Sequence, residues 1–442
     1  MERLAMEKLL KWKNSEKRKP LLLRGVRQCG KTYLLEEFGK RHFDNYVYID
    51  LQRDERAHWI FDRGDLDPHR IIEEIGRYKK AEISAENTLI ILDEIQTCGR
   101  ALTSLKYFYQ EVPEYHIAGA GSLLGVKIGK GSSFPTGKVN TVNLYPLSFR
   151  EWLMAVGREE DAEYCEEHIF DMSRFLLDGL EDEYRRYLYV GGMPEAVETW
   201  IENHDPDAVR EVQKEILIDY QGDILEHAPQ DRIGAITAAW SSVPMQLGKE
   251  NSRFYCTHVD GVKRASDLVD EIQWLVEAGM VVRVYCSQDD TVPPEIRLDR
   301  SLFKLYVVDP GLMSCMLDMD LDSFLDPEMY ARASSDYRGA VAENFTATEL
   351  NRVYGGRIYY WKNGKYEVDF LVKHKGRTVP IEVKSGWKQR ARSLGVFMDR
   401  YDSKKAVLLS LGDPEDGKVV KIPIYLAWTV KGILDGSSFD QM

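Results

Sequence analysis

Leu21-Leu22-Leu23-Arg24-Gly25-Val26-Arg27-Gln28-Cys29-Gly30-Lys31-Thr32 runs from an apolar stretch into a loop bounded by two glycines. The apolar stretch predicts a buried strand, and residues 32–38 continue as a helix, so the loop joins strand to helix. Gly25 and Gly30 let the backbone wrap with its N–H groups pointing inward. Together with the helix N-terminus they make a nest for phosphate. The whole loop (Gly25, Val26, Arg27, Gln28, Cys29, Gly30, Lys31, Thr32) is therefore the expected cradle for ATP. In it Lys31 would reach the β- and γ-phosphates, and the Thr32 hydroxyl would ligate Mg²⁺.

Moving outward, Leu89-Ile90-Ile91-Leu92-Asp93-Glu94 is a second apolar strand, ending in two carboxylates. Asp93 is expected in the Mg²⁺ shell, and Glu94 as the general base that polarises the attacking water. A third strand ends in Gly119-Ala120-Gly121-Ser122, where Ser122 would sense the γ-phosphate or position water; a helix-capping role suits it equally. Strand candidates at 20–24, 46–51, 88–92, 115–119 and 139–144 alternate with amphipathic helices. That alternation predicts a parallel α/β sheet over residues 1–150.

Further along, residues 151–240 read as helical. Residues 241–330 read as a helix followed by a two-stranded ribbon, the pattern of a winged helix. The helix carries Asp267, Asp270, Glu271 and Glu277 against Lys263 and Arg264 at its start, which suits packing better than contact with a phosphate backbone. Residues 331–442 form a separate α/β domain. Within it, residues 366–372 and 378–384 flank a Lys375-Gly376 turn and predict a hairpin. Its register sets Asp369 opposite Glu382, with Lys384 two residues along on the same face.

Facing carboxylates repel unless a cation sits between them. Mg²⁺ held by Asp369, Glu382 and the Val383 carbonyl, with Lys384 orienting or deprotonating water, is the arrangement of PD-(D/E)xK nucleases. Glu343, on the preceding helix, is the candidate for an additional acidic ligand. Lys384, Lys388, Arg390 and Arg392 then form a basic run, read either as a solvated helix face or as a strip for DNA or RNA phosphates.

The segments at 25–32, 89–96 and 121–122, with Tyr145-Pro146-Leu147-Ser148-Phe149 and Gly191-Gly192-Met193-Pro194-Glu195, resemble a prokaryotic family of AAA+-superfamily ATPases. Members of that family join the ATPase to a C-terminal domain of unknown function. The resemblance covers nearly the whole chain. It implies an ATPase core, a helical and winged-helix middle and a restriction-endonuclease-like end. Many AAA+ relatives complete the ATP site with an arginine from a neighbouring subunit, which would require a homo-oligomer. Lys138, Arg100 and Arg150 are the candidate positions for that cation, and the sequence favours none of the three.

Composition bounds the remainder. The chain has 442 residues, a formal charge of -13 and six scattered cysteines. That charge argues against indiscriminate coating of nucleic acid, and the cysteine spacing fits reduced thiols in a cytoplasmic protein. No apolar run reaches membrane-spanning length, so no membrane partner is expected. Two readings follow: an ATPase coupled to a Mg²⁺-dependent nuclease, or a nucleotide-switched scaffold that binds nucleic acid or protein without cutting.

Overall fold

The computed structural model describes residues 1–122, 135–249, 252–387 and 391–436. Two compact units result: Met1–Pro146 with Glu277–Gly279, and Leu147–Val276 with Met280–Met442.

In the first unit the strands are β1 (Leu21–Gly25), β2 (Asn45–Asp50), β3 (Thr88–Asp93), β4 (His116–Ser122) and β5 (Asn140–Leu144). They lie in the order β2-β3-β4-β1-β5, and every pairing is parallel. β3 is buried along its entire length, as a central strand covered on both faces must be. The helix Pro68–Lys79 shows how the covering layer is made. Asp67 caps it by accepting from the His69 N–H at 2.9 Å, and Pro68 occupies its first turn. Ile71, Ile72 and Ile75 then fall on one face and pack into the core with Ile90 and Leu92. Each such burial contributes about 2 kcal/mol. Because the strands are parallel, the ends of β1, β3 and β4 share one edge, where the register sets Gly25 beside Ser122. In open α/β sheets this carboxyl edge is where ligands bind.

The second unit begins with helices Phe149–Ala155, Glu159–His168, Arg174–Val190, Pro194–Asn203, Pro206–His227 and Ile233–Leu247. Its strands are β6 (Val281–Ser287), β7 (Leu298–Val307), β8 (Ile358–Asn363), β9 (Tyr366–His374), β10 (Arg377–Val383), β11 (Ala406–Ser410) and β12 (Val419–Pro423). They form one sheet in the order β12-β11-β10-β9-β8-β6-β7. The sequence separates a winged-helix ribbon from the C-terminal domain. Instead, β6 pairs in parallel with β8, so the ribbon β6–β7 extends the C-terminal sheet. A free ribbon would expose the edge of β6, and pairing with β8 satisfies it.

The distinctive Pro-Leu-Ser-Phe and Gly-Gly-Met-Pro-Glu segments meet in a buried polar knot within this unit. The Leu147 N–H donates to the Gly192 carbonyl at 2.6 Å. The Leu147 carbonyl accepts from the Tyr187 hydroxyl at 2.5 Å and from Arg352 at 3.3 Å. Glu349 accepts from the Phe149 N–H at 3.2 Å and is itself paired with Arg352. Asp309, after β7, accepts from the N–H groups of Gly192 at 2.6 Å and Leu312 at 3.0 Å. No side chain fits at Gly192, where a Cβ would sit 2.0 Å from the Leu147 carbonyl oxygen. These motifs therefore serve packing: the main-chain donors of Leu147, Phe149, Gly192 and Leu312 each find an acceptor, where loss of one would cost about 1–3 kcal/mol.

Candidate functional site

The nucleotide cradle forms at the end of β1. A Cβ on Gly25 would lie 2.4 Å from the Leu144 carbonyl oxygen, so only glycine lets the loop leave the strand there. Gln28 and Gly30 take positive φ values of 62° and 87°, and this alternation turns successive N–H groups toward one concavity. Gly30 is followed directly by the helix Lys31–His42. The buried Lys31 ammonium folds back onto the carbonyls of Gly25 at 3.3 Å and Val26 at 3.0 Å. Arg3, which gives no signal in the sequence, braces the loop from behind. Its guanidinium donates to the Cys29 carbonyl at 2.9 Å and the Tyr145 carbonyl at 2.6 Å.

Asp93 ends β3 almost fully buried. It accepts from the Thr32 hydroxyl at 2.6 Å, the Tyr48 hydroxyl at 3.0 Å and the Glu94 N–H at 3.0 Å. Thr32 and Asp93, distant in sequence, are thus adjacent as the Mg²⁺ reading requires. Glu94 takes the left-handed conformation at φ 47°, which costs a non-glycine residue about 1–2 kcal/mol. Its carboxylate is held by the Gln96 side-chain amide. Burial raises the Glu94 pKa, against the opposing hydrogen bond from Gln96 and the charge of Lys31. Ser122 lies in register with Gly25 at the strand ends. Tyr48 and Gln96 join the site without having been expected there, since a tyrosine on a neighbouring strand gives no signal until strand order is known. Of the arginine candidates, Arg100 is bonded to the carbonyls of Phe61 at 2.7 Å and Gly64 at 2.8 Å. Arg150, in the other unit, is paired with Glu166 at 2.7 Å, and Lys138 lies over the Tyr109 ring.

In the second unit, β9 and β10 pair His374 with Arg377 and continue to Phe370 with Ile381, the register expected from the Lys375-Gly376 turn. Both turn residues have positive φ, 42° and 77°, as a tight hairpin turn demands. Beyond the last pair, Asp369 accepts from the Val383 N–H at 2.7 Å. Lys384 donates to one Glu382 oxygen at 2.6 Å. The other, Oε2, is buried with no hydrogen-bond partner. Burial pushes Asp369 well above the usual carboxylate range, and the charges of Glu382 and Glu343 add to it. Glu382 is raised chiefly by burial, against the opposing charge of Lys384. An orphaned buried acceptor beside a second carboxylate fits a divalent cation.

Glu343 lies near enough for its charge to raise both Asp369 and Glu382. Its carboxylate accepts from Lys304 at 2.9 Å, Tyr306 at 3.0 Å and Ser252 at 3.2 Å. Among the described residues, no three His, Cys, Asp or Glu side chains are gathered in a way that would hold a metal ion. A cation here would rest on Asp369, Glu382 and main-chain oxygen. In the basic run, Lys388 and Arg390 lie outside the described residues, and Arg392 opens the helix Arg392–Tyr401. The six cysteines are unpaired, and no described helix is long and apolar enough to cross a membrane.

Comparison with known proteins bears on these two sites unequally. Residues 17–153 match the family model of an AAA domain. The first unit thus has the fold of an AAA-type P-loop ATPase. Residues 181–323 and 338–425 match two domains of unknown function, DUF8612 and DUF4143. The first of these spans helices and the ribbon together. Among curated relatives, the uncharacterized protein MJ1544 of Methanocaldococcus jannaschii is 24% identical over 79% of this chain and 70% of its own length. MJ1637 of the same organism is 24% identical over 43% of this chain, and an uncharacterized Haemophilus influenzae protein is 26% identical over 43%. The chain spans only 41% and 43% of the length of those two. Among solved structures, the Walker-type ATPase PABY2304 of Pyrococcus abyssi is 15% identical with a TM-score of 0.44, covering 72% of this chain and 95% of that one. AMPPCP-bound DnaA of Aquifex aeolicus is 16% identical with a TM-score of 0.27, covering 63% and 76%.

Proposed function

We propose that the chain hydrolyses ATP with Mg²⁺ at the β1–β3 edge and uses its C-terminal carboxylates as a Mg²⁺-dependent nuclease site on DNA or RNA. The ATP half rests on one observation above all, the 2.6 Å bond between Thr32 and Asp93 beside an inward-facing amide loop. The loop amides and Lys31 would bind the phosphates, releasing Lys31 from its resting carbonyls. Thr32 and Asp93 would hold Mg²⁺, which supplies charge neutralisation of the β- and γ-oxygens. Glu94, set by Gln96, would accept the proton of the attacking water, and Ser122 would position that water from β4.

The nuclease half rests on the orphaned Glu382 oxygen, on a carboxylate whose charge acts on the buried Asp369. The two carboxylates would hold Mg²⁺, which supplies Lewis acidity toward a phosphodiester. Burial acts to lower the pKa of Lys384, but the charges of Glu382 and Asp369 outweigh it. Its role beside a bound cation would be to orient or deprotonate the attacking water. A cleavage assay with labelled single- and double-stranded DNA and RNA, with and without ATP, tests this half. Mg²⁺-dependent cutting by wild type, lost in Lys384→Ala, is expected; no cutting of any substrate would refute it. The scaffold reading draws its support from the charge of -13 and from a site with two carboxylates where three were expected.

A further inference from the structure

Lys304 is fully buried on β7, outside the hairpin, and nothing in the ATPase or nuclease readings uses it. Its ammonium lies 2.9 Å from Glu343 and 2.8 Å from Glu367. Glu367 is also paired with Lys362 at 3.0 Å. Glu343 is filled by the Tyr306 and Ser252 hydroxyls already described. An unpaired buried ammonium would be too costly to keep, so these contacts define why Lys304 is tolerated. In formal charge this half of the cluster is balanced, two lysines against two glutamates. The other half is met less closely: Lys384 touches Glu382, Lys304 acts on Asp369 and Glu382 through its charge, and one Glu382 oxygen has no hydrogen-bond partner.

We propose that Lys304 takes the place of a second metal ion, so that the acidic cluster binds one divalent cation, on Asp369 and Glu382, with Glu343 excluded as a ligand. This rests on the metal-site reading above and assigns its stoichiometry. Lys304 is then a positioning residue: it ties Glu343, from the helix Ser335–Tyr354, to Glu367 on β9 and keeps both away from the cation. The ribbon β6–β7 completes the cluster in place of reading DNA as a wing.

Mn²⁺ calorimetry on the full chain tests the assignment, using Asp93→Asn throughout to silence the nucleotide site and no nucleotide. One ion per chain is expected. Glu343→Gln should change affinity by less than about threefold, while Asp369→Asn weakens it at least about tenfold. Lys304→Met, which leaves Glu343 and Glu367 sharing no buried cation, should raise the stoichiometry to two. Two ions in the starting protein, a tenfold loss in Glu343→Gln, or one ion in folded Lys304→Met would each overturn the proposal and leave the metal site standing. Absence of any Mn²⁺ binding would remove the metal site and the proposal together. Should Lys304→Met fail to fold, as judged by near-ultraviolet circular dichroism, the isosteric Glu343→Gln protein decides.

Discussion

Each unit brings two carboxylates together, and it resolves their repulsion differently. Asp93 and Glu94 are neighbours in sequence, and the left-handed turn at Glu94 sends them apart. Asp93 is then met by the Thr32 and Tyr48 hydroxyls, and Glu94 by Gln96. Asp369 and Glu382 come from different strands, and the hairpin drives them together with one oxygen left unmet. The first pair is settled by the protein's own hydrogen bonds before any ligand arrives. The second is left in a state that a cation would relieve. Divided carboxylates suit a division of labour between metal shell and base; crowded ones suit shared binding of one ion.

The contrast can be broken most forcefully at Lys31. Lys31→Ala should lower the MgATP turnover rate by roughly 10²–10³-fold, because the ammonium that would meet the β- and γ-phosphates is lost. An effect below tenfold, measured by phosphate release, would mean that the cradle is not the site of turnover. In the second unit, Gly192→Ala should destabilise the fold by about 3–4 kcal/mol, since a Cβ has no room beside the Leu147 carbonyl. Urea unfolding followed by near-ultraviolet circular dichroism reads this; a loss under 1 kcal/mol would show that the knot yields easily.

Asp369→Asn should do the reverse in metal-free buffer, raising stability by about 1 kcal/mol, because the amide keeps the Val383 bond and drops the repulsion. Destabilisation there would mean the pair is already compensated. Tyr48→Phe removes one of three bonds to Asp93 and should weaken MgATP binding by roughly fivefold.

The smallest effect concerns pH. His116, on β4, is held neutral: burial lowers its pKa to about 4, and the nearby Arg18 charge adds to this. The unfolded chain takes up that proton more readily, so the contribution is complete above about pH 6.5 and is lost as pH falls toward 4. Urea midpoints of the full chain across that range should fall less steeply in His116→Gln than in wild type. Equal slopes would show that other groups carry the acid sensitivity.

How far the sequence foretold each unit follows from how its residues are spaced. The loop 25–32 and the strand end Asp93-Glu94 carry their chemistry in contiguous residues, so local pattern revealed both. Strands β1 and β3 were legible because buried parallel strands are largely unbroken apolar runs. Tyr48 and Arg3 were not legible, because their roles depend on which strand or loop lies alongside. The hairpin register was legible from a two-residue turn. The pairing of β6 with β8 was not, since residues 281–287 and 358–363 are far apart in the chain and an edge has no local signature. The same distance hid Lys304 and its bond to Glu343. Gly191-Gly192, noted in the sequence for its family resemblance, packs against Leu147 and Asp309.

The most direct test is ATP binding and hydrolysis by Glu94→Gln beside wild type, with binding read by calorimetry in Mg²⁺ and hydrolysis by phosphate release. The expected result is unchanged affinity within a few-fold, with hydrolysis slowed by roughly 10²–10⁴-fold. Hydrolysis at the wild-type rate in Glu94→Gln, or no ATP binding by either protein, would contradict the assignment of this edge as the catalytic site.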